Sequence, residues 1–181
     1  MIEQILNAHL KVMPGFRAIC LRYFNPVGAN PSGLIGHCPV DLPDSLLSNI
    51  VKVANGQLPH LCIYGNNYNT VDGTGVRDYI HVTDIARGHI AARDKCSSGL
   101  NIFNIGTGKG TSVLQLIKAF EKISGVKIKT IVTEKRQTDA ETSLAITDKA
   151  SQLLNFRSQL SLEDACRDTW RWAKRNPNGY Q

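Results

Sequence analysis

Residues Gly73-Thr74-Gly75-Val76-Arg77-Asp78-Tyr79-Ile80-His81-Val82-Thr83-Asp84 run from a glycine-rich turn through an alternating strand into a helix start. Along 76–82 the pattern is that of a half-buried strand, so the arginine at position 77 needs a reason to be there. Its planar guanidinium offers a fork of donors that matches a phosphate, and it does not lose its charge. An ion pair with Asp78 or Asp84 is the competing reading, and spacing alone leaves the two about even. A helix is expected over 83–95, with Thr83 or Asp84 as its cap.

Outward from this stretch, strands and helices alternate. Upstream, 17–24 reads as a buried strand that empties through Leu21-Arg22-Tyr23-Phe24-Asn25-Pro26-Val27-Gly28 into turn formers ending at Gly33; 42–54 reads as a helix and 61–64 as a brief strand. Downstream, 101–105 is strand-like, and a helix with Val113, Leu116, Ile117 and Phe120 on one face stops at Gly125. A strand over 128–132 and helices over 148–154 and 161–175 follow, the last with Leu162, Ala165, Cys166, Thr169, Trp170 and Ala173 on one face and Pro177 beyond its end. At the other end Met1, Ile2, Ile5, Leu6, His9 and Leu10 sit at helical spacing without a capping side chain before them. The alternation implies an α/β fold.

Asn104-Ile105-Gly106-Thr107-Gly108-Lys109-Gly110-Thr111 lies between a strand and a helix, where a phosphate-binding loop could sit. A dinucleotide fingerprint needs a third glycine at the position of Thr111, and a P-loop needs Ser or Thr at the position of Gly110. The loop is therefore expected to be a tight strand-to-helix turn. The chain's 181 residues suit one domain, and a net charge of +6, from 21 Lys plus Arg against 15 Asp plus Glu, is compatible with an anionic ligand. No Lys/Arg block points to nucleic acid; Lys127, Lys129, Lys135 and Arg136 fall within and after a short strand. Cys20, Cys38, Cys62, Cys96 and Cys166 form no metal or redox spacing, and no secretory signal or membrane-length apolar run is found. A reduced cytoplasmic setting is the expectation.

The stretches around Arg77 and Asn25 resemble the UDP-galactose (UDP-glucose) 4-epimerases of the extended short-chain dehydrogenase/reductase superfamily. The likeness runs to Asp168-Thr169-Trp170-Arg171-Trp172 and Asn178-Gly179-Tyr180. Ile63-Tyr64-Gly65-Asn66-Asn67-Tyr68-Asn69-Thr70-Val71-Asp72-Gly73-Thr74-Gly75 is the discriminating run, because related dehydratases and decarboxylases have a shorter turn there. The resemblance implies a substrate-binding C-terminal domain with a few strands and helices of an incomplete NAD-binding, Rossmann-type doubly wound sheet. Residues 1–25 and about 83–120 would belong to the coenzyme sheet, and 26–82 with 121–181 mainly to the substrate domain. NAD would be the cofactor, UDP-galactose and UDP-glucose the ligands, and a homodimer the assembly of full-length members.

Each expected site position follows from the same resemblance. Tyr23 and Phe24 would line the nicotinamide side of NAD, and Asn25 would meet a diphosphate or sugar hydroxyl, its plainer reading being turn initiation before Pro26. Ser45 and Leu46 would offer contacts to the diphosphate at a helix start, with Ser45 standing where the family commonly has Asn. Cys62, Ile63 and Tyr64 would pair with uracil through backbone groups, so that side-chain identity matters little. Arg77 and Arg136 would grip the two phosphates, and Asp139 would meet the ribose. Ser143 takes the place of a large tyrosine in some members, which implies room for UDP-N-acetylhexosamines as well.

The family's proton chemistry uses a Tyr-x-x-x-Lys pair, and none of Tyr23, Tyr64, Tyr68, Tyr79 or Tyr180 has Lys four positions on. Neither this pair nor the NAD glycine fingerprint occurs in the sequence. The expectation is a chain that carries the UDP-sugar half of an epimerase and is inactive by itself. A noncatalytic UDP-sugar-binding or dimerising short form, or a nonfunctional truncated product, are the alternatives.

Overall fold

A computed structural model describes residues 1–13, 15–38, 45–95 and 98–180. In chain order the elements are α1 (Ile2–Val12), β1 (Arg17–Tyr23), β2 (Asn25–Val27), α2 (Leu46–Ala54), β3 (Leu61–Tyr64), β4 (Val76–Arg77), β5 (Tyr79–His81) and α3 (Val82–Asp94). They continue as β6 (Gly99–Ile105), β7 (Thr111–Ser112), α4 (Val113–Ser124), β8 (Thr130–Thr133), β9 (Thr142–Ser143), α5 (Asp148–Leu154) and α6 (Leu162–Arg175). Among the described residues the strands form parallel pairs β1–β6, β2–β5 and β3–β8, and a three-stranded sheet in the order β7-β4-β9. The α/β expectation holds. Residues 42–44 of the expected helix 42–54, and Cys96, lie outside the described residues.

Local signals set most of these elements. Helix α4 opens on a capping box, in which the Ser112 hydroxyl accepts from the Gln115 amide and the Gln115 side chain accepts from the Ser112 amide. It stops at Gly125, whose left-handed φ of 74° lets the cap amide reach the Glu121 carbonyl. Its Leu116, Ile117 and Phe120 face packs with α2, α6, β3 and Val27 in one core. A second core joins Ile80, Phe103 and Ile105 to Ala92 of α3 and to Ala150, Leu154 and Phe156. Trp172 of α6 is buried, while Trp170 sits at the edge of the first core with its ring 5.6 Å from that of Phe120. The helical period alone had favoured Trp170.

Helix α6 also begins with a capping box. Asp164 accepts from the Ser161 hydroxyl at 2.7 Å, from the Ser161 amide at 2.9 Å and from Arg167 at 2.5 Å. These donors, the Ser161 hydroxyl foremost, pull the carboxyl down from its ordinary 3.8 to about 2. A depressed folded-state pKa contributes stability that is fully present above pH 3.8 and lost as the pH falls through about 2. Asp164→Asn is therefore expected to flatten the acid limb of a stability-against-pH curve in that window. An unchanged limb would show that the box does not carry it.

The expected strand 76–82 is two strands in two sheets, and the switch happens at Asp78. β4 pairs in parallel with β9, Val76 opposite Thr142 and Arg77 opposite Ser143. The Asp78 amide then donates to the Ser143 carbonyl, while the Asp78 carbonyl accepts from the Asn25 amide as β5 joins β2. One residue thus brings Arg77, Ser143 and Asn25 together. The helix after β5 starts one residue earlier than expected, and its cap is neither Thr83 nor Asp84 but His81, whose Nδ1 accepts from the Thr83 amide at 3.0 Å. Asp84 is buried and bonded across the fold to the Gln159 and Leu160 amides instead.

α1 buries none of its residues and is tied to β1 by the Glu3–Arg22 pair at 2.5 Å. No helix among the described residues is long and apolar enough to cross a membrane.

Candidate functional site

The ends of β2, β3 and β4, the first turn of α2 and the chain after β8 surround a cavity of about 690 Å³. Asn25, Ser45, Leu46, Cys62, Ile63, Tyr64, Arg77, Arg136 and Asp139 all line it. A more open cavity of about 530 Å³ is lined by Arg22, Tyr23, Phe24, Asn25, Asn104 and Ser143. Asn25 belongs to both, so the remaining three expected positions, Tyr23, Phe24 and Ser143, lie next door.

Arg77 reaches the first cavity as strand geometry requires, with Tyr79 two residues on and on the same side. Neither candidate carboxylate pairs with it. Asp78 is fully buried and accepts from the Thr107 amide at 2.9 Å, the Thr107 hydroxyl at 2.6 Å, the Gly108 amide at 2.8 Å and the Ala145 amide at 3.2 Å. Asp84 is held by Arg87 and the amides of residues 159 and 160. Among the described residues Arg77 makes no ion pair, and its guanidinium is steadied by a 2.9 Å bond to the Val76 carbonyl. Beside it, burial pushes the Tyr79 phenol up to about 12, against a smaller opposing pull from Arg77, so the phenol is neutral.

The same carboxylate explains the glycine-rich loop. The amides of Thr107 and Gly108, which a phosphate would need, are spent on Asp78. A Cβ at Gly106 would stand 2.4 Å from that of Ala145 and 2.7 Å from Asp78 Oδ2, so the glycine permits the close approach. The loop is a turn closed around the Asp78 side chain.

The other charges converge from different elements. The Asp139 amide donates to the Arg136 carbonyl at 3.3 Å, a turn that sets both residues at the cavity. The Arg136 guanidinium carbon lies 3.8 Å from the centroid of the Tyr64 ring. Ser45 caps α2, its hydroxyl accepting from the Ser48 amide at 3.3 Å, and no acidic residue occupies the first turn. The positive end of a nine-residue helix therefore borders the space. Two arginines and a helix start opposite a strand backbone can hold a multiply charged anion attached to a flat polar group. Among the described residues no cluster of side chains suits a metal ion.

The sequence reading missed Asn49, Tyr68 and Tyr79, which also line the cavity. Asn49 follows Ser45 by one helical turn and Tyr79 follows Arg77 by one strand period, so both were within reach of spacing. Tyr68 is brought in by a loop whose path no periodicity specifies.

The chain is similar to known proteins along nearly its whole length. The chain is 48% identical over 182 residues to a UDP-glucose 4-epimerase of Cyamopsis tetragonoloba, with 99% of this chain and 52% of that protein aligned. The structure superposes with a TM-score of 0.93 on the UDP-glucose 4-epimerase of Bifidobacterium longum in complex with NAD+ and UDP, at 42% identity over 98% of this chain and 53% of that one. The UDP-Glc/GlcNAc 4-epimerase of Campylobacter jejuni matches with a TM-score of 0.77 and 32% identity, covering 96% and 53% of the two chains. The chain thus spans about half the length of the relatives it matches. A family model described as NAD dependent epimerase/dehydratase family matches residues 1–106, more than half of the sequence. The chain belongs to the NAD dependent epimerase/dehydratase family.

Proposed function

We propose that this chain is the UDP-sugar-holding half of a UDP-glucose/UDP-galactose 4-epimerase of galactose metabolism. Residues 26–82 and 121–181 mainly form the substrate part, and 1–25 with 83–120 contribute to the coenzyme sheet. One observation carries the reading: nine positions nominated for a UDP-sugar converge on a single cavity of about 690 Å³, within the usual size of small-molecule sites. Arg77 and Arg136 meet the diphosphate, the backbone of 62–64 meets the edge of the base, and Asp139 accepts from the ribose. The α2 start with Ser45 and Leu46 adds amides and a hydroxyl, and Asn25 stands where nucleotide gives way to sugar. Energy from these remote contacts fixes the nucleotide while the hexose stays free to turn.

NAD, when bound, supplies the hydride acceptor and donor for C4 of the hexose. Tyr23 and Phe24, beside Asn25 and Ser143, fit its nicotinamide end. The glycine loop after β6 does not fit its diphosphate, since Asp78 holds the loop amides. No residue of this chain is assigned the proton transfer. The cavity for the nucleotide is assembled from this chain's own residues, which also favours a second reading as a noncatalytic UDP-sugar binder. Calorimetric titration of the purified chain with UDP, UDP-glucose and UDP-galactose separates the outcomes. Saturable one-to-one binding without epimerisation is expected; no binding would overturn both readings.

Ser143 bears on the choice of sugar. Its short side chain lies opposite Arg77 in the register and borders the more open cavity with Tyr23 and Phe24, leaving room for an acetamido group. An epimerase containing this half is expected to turn over UDP-N-acetylgalactosamine as well as UDP-galactose. Ser143→Tyr is expected to cost the former roughly tenfold or more while sparing the latter. Turnover of UDP-galactose alone by the unaltered enzyme would rule this out.

A further inference from the structure

Backbone pairing of a base along β3 would give the Tyr64 side chain no part in binding, yet its ring is the surface on which Arg136 rests. Tyr64 ends β3 opposite Thr133 of β8, and the next amide, that of Gly65, donates to the Thr133 carbonyl at 2.9 Å. The chain leaving β8 therefore folds back over the end of β3. Gly65 adopts a φ of +81°, and a Cβ there would stand 2.6 Å from that of Lys135 and 2.9 Å from the Tyr68 ring, so only glycine lets 134–136 lie so close. Two consecutive cations are thereby set on two tyrosines, the Lys135 ammonium 5.0 Å from the Tyr68 ring centroid and the Arg136 guanidinium carbon 3.8 Å from that of Tyr64. Of the two cations, Arg136 is the one that lines the nucleotide cavity.

Two features make this more than incidental contact. Tyr64 is 43% exposed, so core packing does not dictate where its ring lies. Arg136 has no carboxylate partner among the described residues, and the ring is the contact that orders it. An exposed arginine otherwise loses much rotamer freedom when it engages a ligand, and ordering it beforehand removes part of that cost. We infer that the Tyr64 ring is a positioning surface for Arg136, presenting its guanidinium to the phosphate end of a nucleoside diphosphate. The inference rests on the nucleotide-site reading above and gives a side chain expected to be neutral a defined task.

The competing role for an aromatic ring at this place is stacking on the base, and the phosphate dependence of the loss separates the two. UDP and uridine are titrated into the isotope-labelled full chain by NMR, for the wild type, Tyr64→Leu and Tyr64→Phe, with the folded spectrum of each variant as control. Tyr64→Leu is expected to weaken UDP roughly three- to tenfold, the worth of a half-exposed cation–π contact, and to leave uridine unchanged. Tyr64→Phe, which keeps the ring face, restores UDP affinity. The Arg136 Nε proton, ring-shifted in the wild type and in Tyr64→Phe, moves to an unshifted position in Tyr64→Leu. Equal losses for uridine and UDP, or no loss for either, would overturn the positioning role alone. A wild-type chain that never saturates with UDP would overturn the nucleotide-site reading and this inference with it.

Discussion

Arg77→Ala is expected to weaken UDP binding by the chain about 10- to 100-fold, while its unfolding midpoint moves little. A hydrogen bond to a charged group contributes about 1.5–3 kcal/mol, and each 1.4 kcal/mol is tenfold in affinity. The loss should fall wholly on the ligand because Arg77 has so little else to do. The acids close to it in sequence, Asp78 and Asp84, are satisfied by amides, a hydroxyl and Arg87, and its own bond is to the Val76 carbonyl. Lysine should restore only part of the affinity, since an ammonium cannot present the two parallel donors of a guanidinium. Calorimetry with UDP together with a denaturant melt checks both halves. A variant that binds UDP as the wild type does would remove Arg77 from the site.

The second large effect is on stability. Asp78→Ala is expected to cost the fold about 3–5 kcal/mol, because a buried amide, two part-buried amides and a threonine hydroxyl lose their shared acceptor, and an orphaned buried donor costs about 1–3 kcal/mol. For a chain of this length that corresponds to a fall in Tm of about 6–20 °C. The carboxylate ties the loop after β6 to residue 145 and sits where the chain passes from the β4 sheet to the β5 sheet, so no neighbour can replace it. Asp78→Asn should cost less than alanine but still destabilise, since one carboxylate oxygen becomes an NH2 facing donors. A loss below about 1 kcal/mol on chemical denaturation would show that the loop satisfies its amides elsewhere.

The two aspartates close to Arg77 in sequence also mark where sequence reasoning stopped. The helix stop at Gly125 and the strand interrupted by Arg77 were legible because each is a local rule, αL glycine at a helix end and period two along a strand, whereas the Ser112 and Ser161 capping boxes were not read. That Asp78 would turn inward and split one strand between two sheets was not legible. Its partners are 29 to 67 residues away, and only the assembled fold brings them within reach. The cap of α3 was misplaced for a related reason, since a histidine accepting through Nδ1 is an uncommon cap and the usual candidates stood just beyond it. The nine expected site positions that share one cavity were legible only through the family resemblance, and they lie at strand ends, a helix start and the turn after β8. The stacking of Arg136 on Tyr64 depends on a close approach at Gly65 that no spacing reports.

The central claim is that the nucleotide is held at β3, β4 and α2 and not at the glycine loop. Amide chemical shifts recorded as UDP is added to the full chain test it most directly. The account predicts saturable perturbations at Cys62, Ile63, Tyr64, Leu46 and Arg77, with the Thr107 and Gly108 amides unmoved. Perturbations centred on Thr107 and Gly108, with 62–64 silent, would contradict it.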